Sequence, residues 1–214
     1  MYCIICENST YPIKHPNLET TYHVCSFCGF ISKDKAFHLT DNKEFQMYEM
    51  HENSIEDEKY VAFFESFLQE TVFPFTNKGK EALDFGSSPS PVLAQLMERD
   101  YGYDYTIYDK FYAPTINYHS KKYDLITSTE VMEHIENPLP VFKEFKELIR
   151  DDGIIAIMTL FSPKIDENIF GWHYLRDNTH ISIFTPKAMR IIAEKVGLEV
   201  IHCDNYRYTT FKKK

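Results

Sequence analysis

Four of the five cysteines fall within the first 30 residues, as two Cys-x2-Cys pairs, Cys3/Cys6 and Cys25/Cys28, with 18 residues between them. Each such turn presents two thiolates to one ion. Two turns complete a tetrahedron with no open position, the chemistry of structural zinc rather than of a catalytic metal. A segment this short buries too little apolar surface to fold unaided, and zinc binding worth ~10–16 kcal/mol in finger peptides is enough to hold it. Two disulfides or a redox dithiol are the competing uses of four cysteines. A reducing compartment opposes the first, and the presence of two pairs instead of one opposes the second. His15, His23 and His38 read as surface residues, and Cys203 as a small core residue.

A second cluster lies in Glu81–Pro91, Glu-Ala-Leu-Asp-Phe-Gly-Ser-Ser-Pro-Ser-Pro. Ala82, Leu83 and Phe85 read as a buried strand, and Gly86 permits a sharp turn close to a ligand. Ser90 is suited to cap the following helix, with Pro91 at its first position. Strand, tight turn and helix start together make a nucleotide-type site, with Asp84 aimed into the crevice at the strand's C-terminal end. Only one glycine stands where a dinucleotide fingerprint wants three, so an ordinary strand-to-helix turn is the competing account. Asp109 ends the next strand, 23 residues after Gly86, about where an acidic residue grips a ribose diol.

Two further clusters follow. Ser128-Thr129-Glu130-Val131-Met132-Glu133-His134 begins at the end of another strand. A helix there would bring Glu130, Glu133 and His134 onto one face, able to hold a base or a divalent ion. The plain alternative is that acids favour helix N-termini. Gly171–His180 holds the only tryptophan, Trp172, with Tyr174, His173, His180 and an Arg176–Asp177 pair, in a long loop of the sort that is either functional or disordered. Its aromatic content argues against disorder, and Trp172 and Tyr174 could also simply plug the open end of a sheet.

The elements that position these clusters can be read from periodicity. Ser54 opens a helix with a capping-box variant, Val61, Phe64, Leu68 and Val72 form its buried stripe, and Pro74 ends it. Strands are expected near 82–85, 104–109, 123–128, 154–160, 180–184 and from Leu198 onward. Asp151-Asp152-Gly153 reads as the turn into the fourth of these. Helices are expected from Pro91, from Pro138 and from Pro186, the last capped by Thr185 and stopped at Gly197. Residues 110–122 show no helical period, so the third crossover strand is short or lost. Alternating strands and helices imply a doubly wound, mostly parallel α/β sheet. The polar connection at 31–53 places a boundary near residue 44, giving a zinc-binding module over 1–44 and the α/β domain over 45–214.

Net charge is −9, and the first 44 residues carry four lysines against five acids. Neither part has the positive excess that supplies nucleic-acid affinity. The Lys212-Lys213-Lys214 end reads as a solvated tail. No apolar run approaches a membrane span, and the N-terminus lacks the features of a signal peptide, so the expected location is the cytosol.

The segments LDFGSSPSP, YDK, YDLITSTEVMEHI, DDGIIAIMT and WHYLRDNTHISIF, in that order, resemble class I S-adenosylmethionine-dependent methyltransferases over about residues 45–205. STEVMEHI is similar to the corresponding segment of ubiquinone-type O-methyltransferases. A four-cysteine module ahead of such a domain is similar to zinc-bearing sugar C-methyltransferases, whose large C-terminal domain this chain lacks. The resemblance implies that Asp84, Gly86, Ser87 and Ser88 hold the methionine half of the cofactor. It also implies that Asp109 takes the ribose hydroxyls, that Thr129 and Glu130 flank the sulfonium, and that Tyr48 and His51 belong to a segment lidding the cofactor. Ser88 and Ser90 depart from the family, which usually has glycine at both. In the ubiquinone-type enzymes an acid–acid–histidine pattern like Glu130, Glu133 and His134 is associated with a divalent cation. Methyl transfer to an oxygen or carbon of a small-molecule acceptor is the expected reaction, with His134 or His180 as base and Trp172 and Tyr174 walling the acceptor pocket. An RNA methyltransferase gripping RNA through the zinc module and a non-catalytic binding module are the rivals. A dehydrogenase is a weaker one.

Overall fold

A computed structural model describes residues 1–49, 54–77, 79–163 and 169–214. Three short strands open the chain: β1 (Thr10–Lys14), β2 (Thr21–Cys25) and β3 (Ile31–Lys33). Helices α1 (Asp41–Tyr48) and α2 (Glu58–Thr71) follow. Then come β4 (Glu81–Phe85), α3 (Val92–Tyr101), β5 (Asp104–Tyr108), β6 (Tyr123–Thr129), α4 (Pro138–Leu148) and β7 (Ile149–Met158). The chain closes with β8 (Ser182–Ile183), α5 (Pro186–Val196), β9 (Leu198–Cys203) and β10 (Tyr208–Lys213).

The main sheet has the order β5-β4-β6-β7-β10-β9. Its first four strands are parallel, and β10 runs antiparallel to both of its neighbours. This is the expected doubly wound, mostly parallel sheet, with the expected missing crossover: 109–122 contributes a turn and a short 3-10 segment at Tyr118–Ser120. Side chains alternate between the two faces of each strand. Leu83, Ile126 and Ile155 pack with Phe142 and Phe145 of α4 and Met189 and Ile192 of α5. Ala82, Leu125 and Ile154 pack on the other face with Phe67 and Leu68 of α2 and Leu96 and Met97 of α3. Cover on both faces explains why the central strands read as unbroken apolar runs.

Several boundaries differ from the expectation. α2 is capped by Asp57, whose side chain accepts from the amides of Lys59 and Tyr60, while the Ser54 hydroxyl only accepts from Glu56 just ahead of it. Asp151-Asp152-Gly153 is no turn: β7 runs through it, with a register shift against β6 between Tyr123 and Leu125. A side chain at Gly153 would sit 2.9 Å from the Asp124 carbonyl, so glycine lets the two backbones approach there. The expected strand at 180–184 shrinks to two residues and joins a different sheet, β1-β2-β3-β8, by antiparallel pairing with β3. Lys212 and Lys213 are not a solvated tail but the end of β10, with Lys213 paired to Asp151 and Lys212 to Glu199. No helix among the described residues is long and apolar enough to cross a membrane.

Candidate active site and cysteine cluster

A cavity of about 730 Å³ opens at the C-terminal ends of β4, β5 and β6. The loop after β4 forms its floor. Gly86 has φ 88°, and a Cβ there would lie 2.2 Å from Cγ2 of Val131, so this turn accepts only glycine without movement. The amides of Gly86 and Ser87 both donate to the Tyr108 carbonyl, which ties the loop to the end of β5. Ser88 stands at φ 60°, a conformation that costs an L-residue ~1–2 kcal/mol, and its hydroxyl donates to the Ser90 carbonyl. Ser90 does not cap α3. Pro91 takes that position and no side chain caps the first turn.

Asp84 and Asp109 meet in this cavity, because they end neighbouring parallel strands. Asp109 accepts from the Ser88 amide at 3.0 Å through one oxygen and from the Phe111 and Tyr112 amides through the other. Asp84 is buried and accepts from the Thr127 hydroxyl at 3.2 Å. Burial pushes its carboxyl up to about 7, the Thr127 bond opposes the shift, and Asp109 adds to it.

Thr129 and Glu130 line the same space. Glu130 has φ 54° and its amide donates to the Met158 carbonyl. The expected helix over 130–134 does not form. Val131 leads into a 3-10 turn, Met132–His134, so the two acids and the histidine are placed by an irregular strap instead of by helical spacing. Burial, then the charge of Glu133, pushes Glu130 up to about 8, and burial pushes Glu133 up to about 7. The Tyr174 hydroxyl donates to Glu133 and lies 3.5 Å from Glu130. Oε1 of Glu130 and Oε2 of Glu133 are buried without a partner. Of the two, only Glu130 lines the cavity, so its unmatched oxygen is the one a ligand's donor or positive charge could meet, while Glu133 is fully buried behind it.

His134 and His180 stand side by side, with ring centroids 4.9 Å apart. Nδ1 of His134 donates to the Thr179 carbonyl at 3.1 Å, and Nδ1 of His180 to the Tyr174 carbonyl at 2.8 Å. A carbonyl can only accept, so each ring carries its proton on Nδ1 and keeps Nε2 as an acceptor. Burial holds both rings below the usual histidine range, His180 at about 4. Glu133, His134 and His180 each place one ligand atom within 4.8 Å of the others; Glu130, expected in that group, is not part of it.

Tyr174 lines the cavity, while Trp172 packs behind it, 5.1 Å between centroids, in an apolar cluster beneath the smaller sheet. Tyr48 reaches the cavity from α1, its hydroxyl donating to Glu44 and its ring meeting His134 and Phe111. His51 lies outside the described residues. Sequence reasoning missed Tyr60 of α2 and Arg207 from the turn before β10; it read Phe64 only as part of a buried stripe and Asp177, which stands beside His180, only as a member of the loop cluster. Arg207 had no local signal, because its place depends on how the last two strands pair.

The four cysteine sulfurs lie within 4.8 Å of one another, with Cys3–Cys28 at 3.6 Å and Cys6–Cys25 at 3.3 Å. A tetrahedral ion with ~2.3 Å bonds spaces its sulfurs by ~3.8 Å, so this donor set fits a zinc ion. Hydrogen bonding from Cys28 already draws the Cys3 thiol down to about 5, and the same bond pushes Cys28 up. His23 pairs instead with Asp34, and His38 with the Lys33 carbonyl.

Residues 56–203 match a family described as a methyltransferase domain. The chain is similar to the ubiquinone biosynthesis O-methyltransferase of Glaesserella parasuis serovar 5 (strain SH0165), 39% identical over 41 residues, which is 19% of this chain and 17% of that protein. The enzyme of the same name from Actinobacillus pleuropneumoniae serotype 5b (strain L20) is 36% identical over 42 residues, 20% of this chain and 18% of that one. The similarity therefore spans less than a fifth of either relative. Among solved structures, the mitomycin 7-O-methyltransferase MmcR superposes with a TM-score of 0.52 at 11% identity, over 79% of this chain and 60% of that chain. An O-methyltransferase family protein from Burkholderia thailandensis gives 0.53 at 12% identity, over 72% and 56%. At these identities the likeness is one of fold.

Proposed function

The chain belongs to the methyltransferase-domain family, and from that premise we propose that it transfers a methyl group from S-adenosylmethionine to an oxygen or carbon atom of a small-molecule acceptor. The observation that carries this reading is the meeting of Asp84 and Asp109 in one cavity around the glycine–serine turn. The cavity is within the ~300–1,000 Å³ range of small-molecule sites. The unmatched carboxyl oxygen of Glu130 on its wall suits a ligand that brings positive charge, as S-adenosylmethionine does with its sulfonium and ammonium.

S-adenosylmethionine supplies a methyl group on a good leaving group, so the protein's task is chiefly alignment, which can contribute ~7–11 kcal/mol. Asp109, with the loop amides it orders, would hold the ribose, and Asp84 with Gly86, Ser87 and Ser88 would hold the methionine half. Thr129 and Glu130 would flank the sulfonium with Tyr48 lidding the cofactor, and Tyr174 would wall the acceptor side. An acceptor hydroxyl or carbon acid must lose a proton, and a placed base is worth ~10²–10⁴-fold. His134 and His180 are neutral near pH ~7 with Nε2 free to accept, which is the state a base requires. Zinc on Cys3, Cys6, Cys25 and Cys28 would be structural, since four thiolates leave no position open.

A second reading of the acceptor side is favoured by the grouping of Glu133, His134 and His180. Both histidines have Nδ1 fixed by carbonyls, as metal-bound histidines commonly do, so a divalent cation could take the place of a free base. Turnover lost to a chelator and restored by manganese or cobalt, with zinc content at the cysteines unchanged, would favour the cation.

The test of the main reading is label transfer. The chain is incubated with methyl-labelled S-adenosylmethionine and separate small-molecule, RNA and protein fractions. Label in the small-molecule fraction is the expected result; label confined to RNA, or no transfer to any fraction, contradicts it.

A further inference from the structure

The segment 169–185 carries Tyr174, Asp177, Thr179 and His180, yet it has almost no regular structure of its own. It contains 3-10 turns at Ile169–Gly171 and His173–Arg176 and the two-residue strand β8. Its polar groups find their partners in the cysteine module. β3 pairs with β8 through Ile31 and Ile183 and through Ser32 and Ser182, and the Lys33 amide donates to the Ile181 carbonyl at 2.9 Å. The Lys33 ammonium donates to the Asn178 carbonyl at 3.0 Å, and the Tyr22 hydroxyl to the Leu175 carbonyl at 3.0 Å. Both side chains are buried. At the far end, the Thr185 hydroxyl donates to the carbonyl of the ligand candidate Cys28 at 2.6 Å.

The same segment passes this order on to the cavity. The Ile181 amide donates to the Glu133 carbonyl at 2.8 Å, and the Ser182 hydroxyl to the Ile135 carbonyl at 2.6 Å. Thr179 and Tyr174 supply the carbonyls that hold Nδ1 of His134 and His180. None of these bonds reaches Asp84, Gly86 or Asp109, which stand on β4, in the loop after β4 and just past the end of β5.

We propose that Tyr22 and Lys33 are positioning residues for Tyr174 and His180, and that the cysteine module is the template on which this half of the cavity is held. A long loop must lose much conformational freedom to keep two side chains fixed. Here the compensating bonds come from a neighbouring element whose own fold rests on the cysteine cluster, so metal binding at the cysteines and order at His180 are one linked equilibrium. Calling that half the acceptor side rests on the methyltransferase reading; the template itself does not.

The test uses the full chain, zinc-loaded, as wild type, Lys33→Met and Tyr22→Phe. The second variant removes one oxygen and keeps the ring packing, so it folds even where the first does not. Hydrogen exchange is followed for amides 174–183 and for amides 81–90, and the ring nitrogens of His180 are followed by NMR. Losing one such bond should raise exchange over 174–183 by about tenfold and leave 81–90 within about twofold. The His180 ring should lose its fixed Nδ1–H signature, while affinity for S-adenosylhomocysteine stays near that of wild type. Unchanged exchange over 174–183 overturns the proposal, as does equal loosening of both segments, which would mean only general destabilisation. A wild-type chain that shows the predicted exchange pattern but binds no S-adenosylhomocysteine would sink the methyltransferase reading and leave the template standing.

Discussion

Replacing Asp84 with asparagine should make the ligand-free protein more stable, by an amount that grows as pH rises toward neutrality. The buried carboxyl titrates at about 7 in place of an ordinary 3.8. Between those values the folded chain retains a proton that the unfolded chain has released, so stability falls as pH rises. The penalty is absent below pH ~4 and complete above pH ~7. About three pH units at ~1.4 kcal/mol each give about 4 kcal/mol as its full size. An asparagine side chain cannot ionise, is nearly isosteric, and can still accept from Thr127. The assay is urea unfolding of both proteins at about pH 4, 5.5, 7 and 8 with zinc held constant. Glu130 and Glu133 tilt both curves alike, so they largely cancel in the difference. Asp84→Asn should match wild type near pH ~4 and exceed it by ~2–4 kcal/mol at pH ~8, while losing affinity for S-adenosylmethionine, as expected where a site is built at the expense of stability. A difference that does not change with pH would refute the reasoning, because it would show that Asp84 is not the group being forced to ionise in a dry site.

Ser88→Gly relieves a left-handed backbone worth ~1–2 kcal/mol but deletes the Ser88–Ser90 bond, worth ~1 kcal/mol. Stability measured by denaturant should therefore move by no more than about 1 kcal/mol, and cofactor binding measured by calorimetry should tighten as the side chain leaves the loop. Gly86→Ala forces Val131 away from a 2.2 Å contact; a loss of ~1–3 kcal/mol in thermal unfolding and of S-adenosylhomocysteine binding is expected. Cys25→Ser should release the bound zinc, read by a colorimetric chelator, and lower the unfolding midpoint, since metal binding at buried cysteines contributes folding energy. The two histidines tilt stability the other way from Asp84. His180, held at about 4, adds stability as pH rises from ~4 to ~6.5, and His180→Phe should flatten that limb of the unfolding curve.

The features legible in the sequence are those encoded by short spacings. Two Cys-x2-Cys turns carry their own geometry, so the sulfur cluster needed no knowledge of the fold. Asp84 and Asp109 could be paired because each stands at the end of an apolar strand run, and ends of adjacent parallel strands lie side by side. What was not legible depends on partners distant in the chain. β8 is two residues long and exists because β3, about 150 residues earlier, offers an edge. β10 ends in lysines that resemble a loose tail, and only its place between β7 and β9 buries Thr209, Thr210 and Phe211. The Glu133–Tyr174 contact joins a strap after β6 to a loop after β7, and no local pattern announces it. Helical spacing was the wrong guide at 130–134. A residue at φ 54° and a 3-10 turn bring Glu130 and His134 to the cavity and bury Glu133 behind them, where an α-helix was expected.

The central claim is that the cavity around Asp84 and Asp109 accepts an adenosyl sulfonium. The direct measurement is calorimetric titration of the zinc-replete chain with S-adenosylhomocysteine, alongside Asp109→Ala. One site per chain, with the heat lost in the variant, is the predicted result. No heat from the wild-type chain, or binding that Asp109→Ala leaves unchanged, would contradict it.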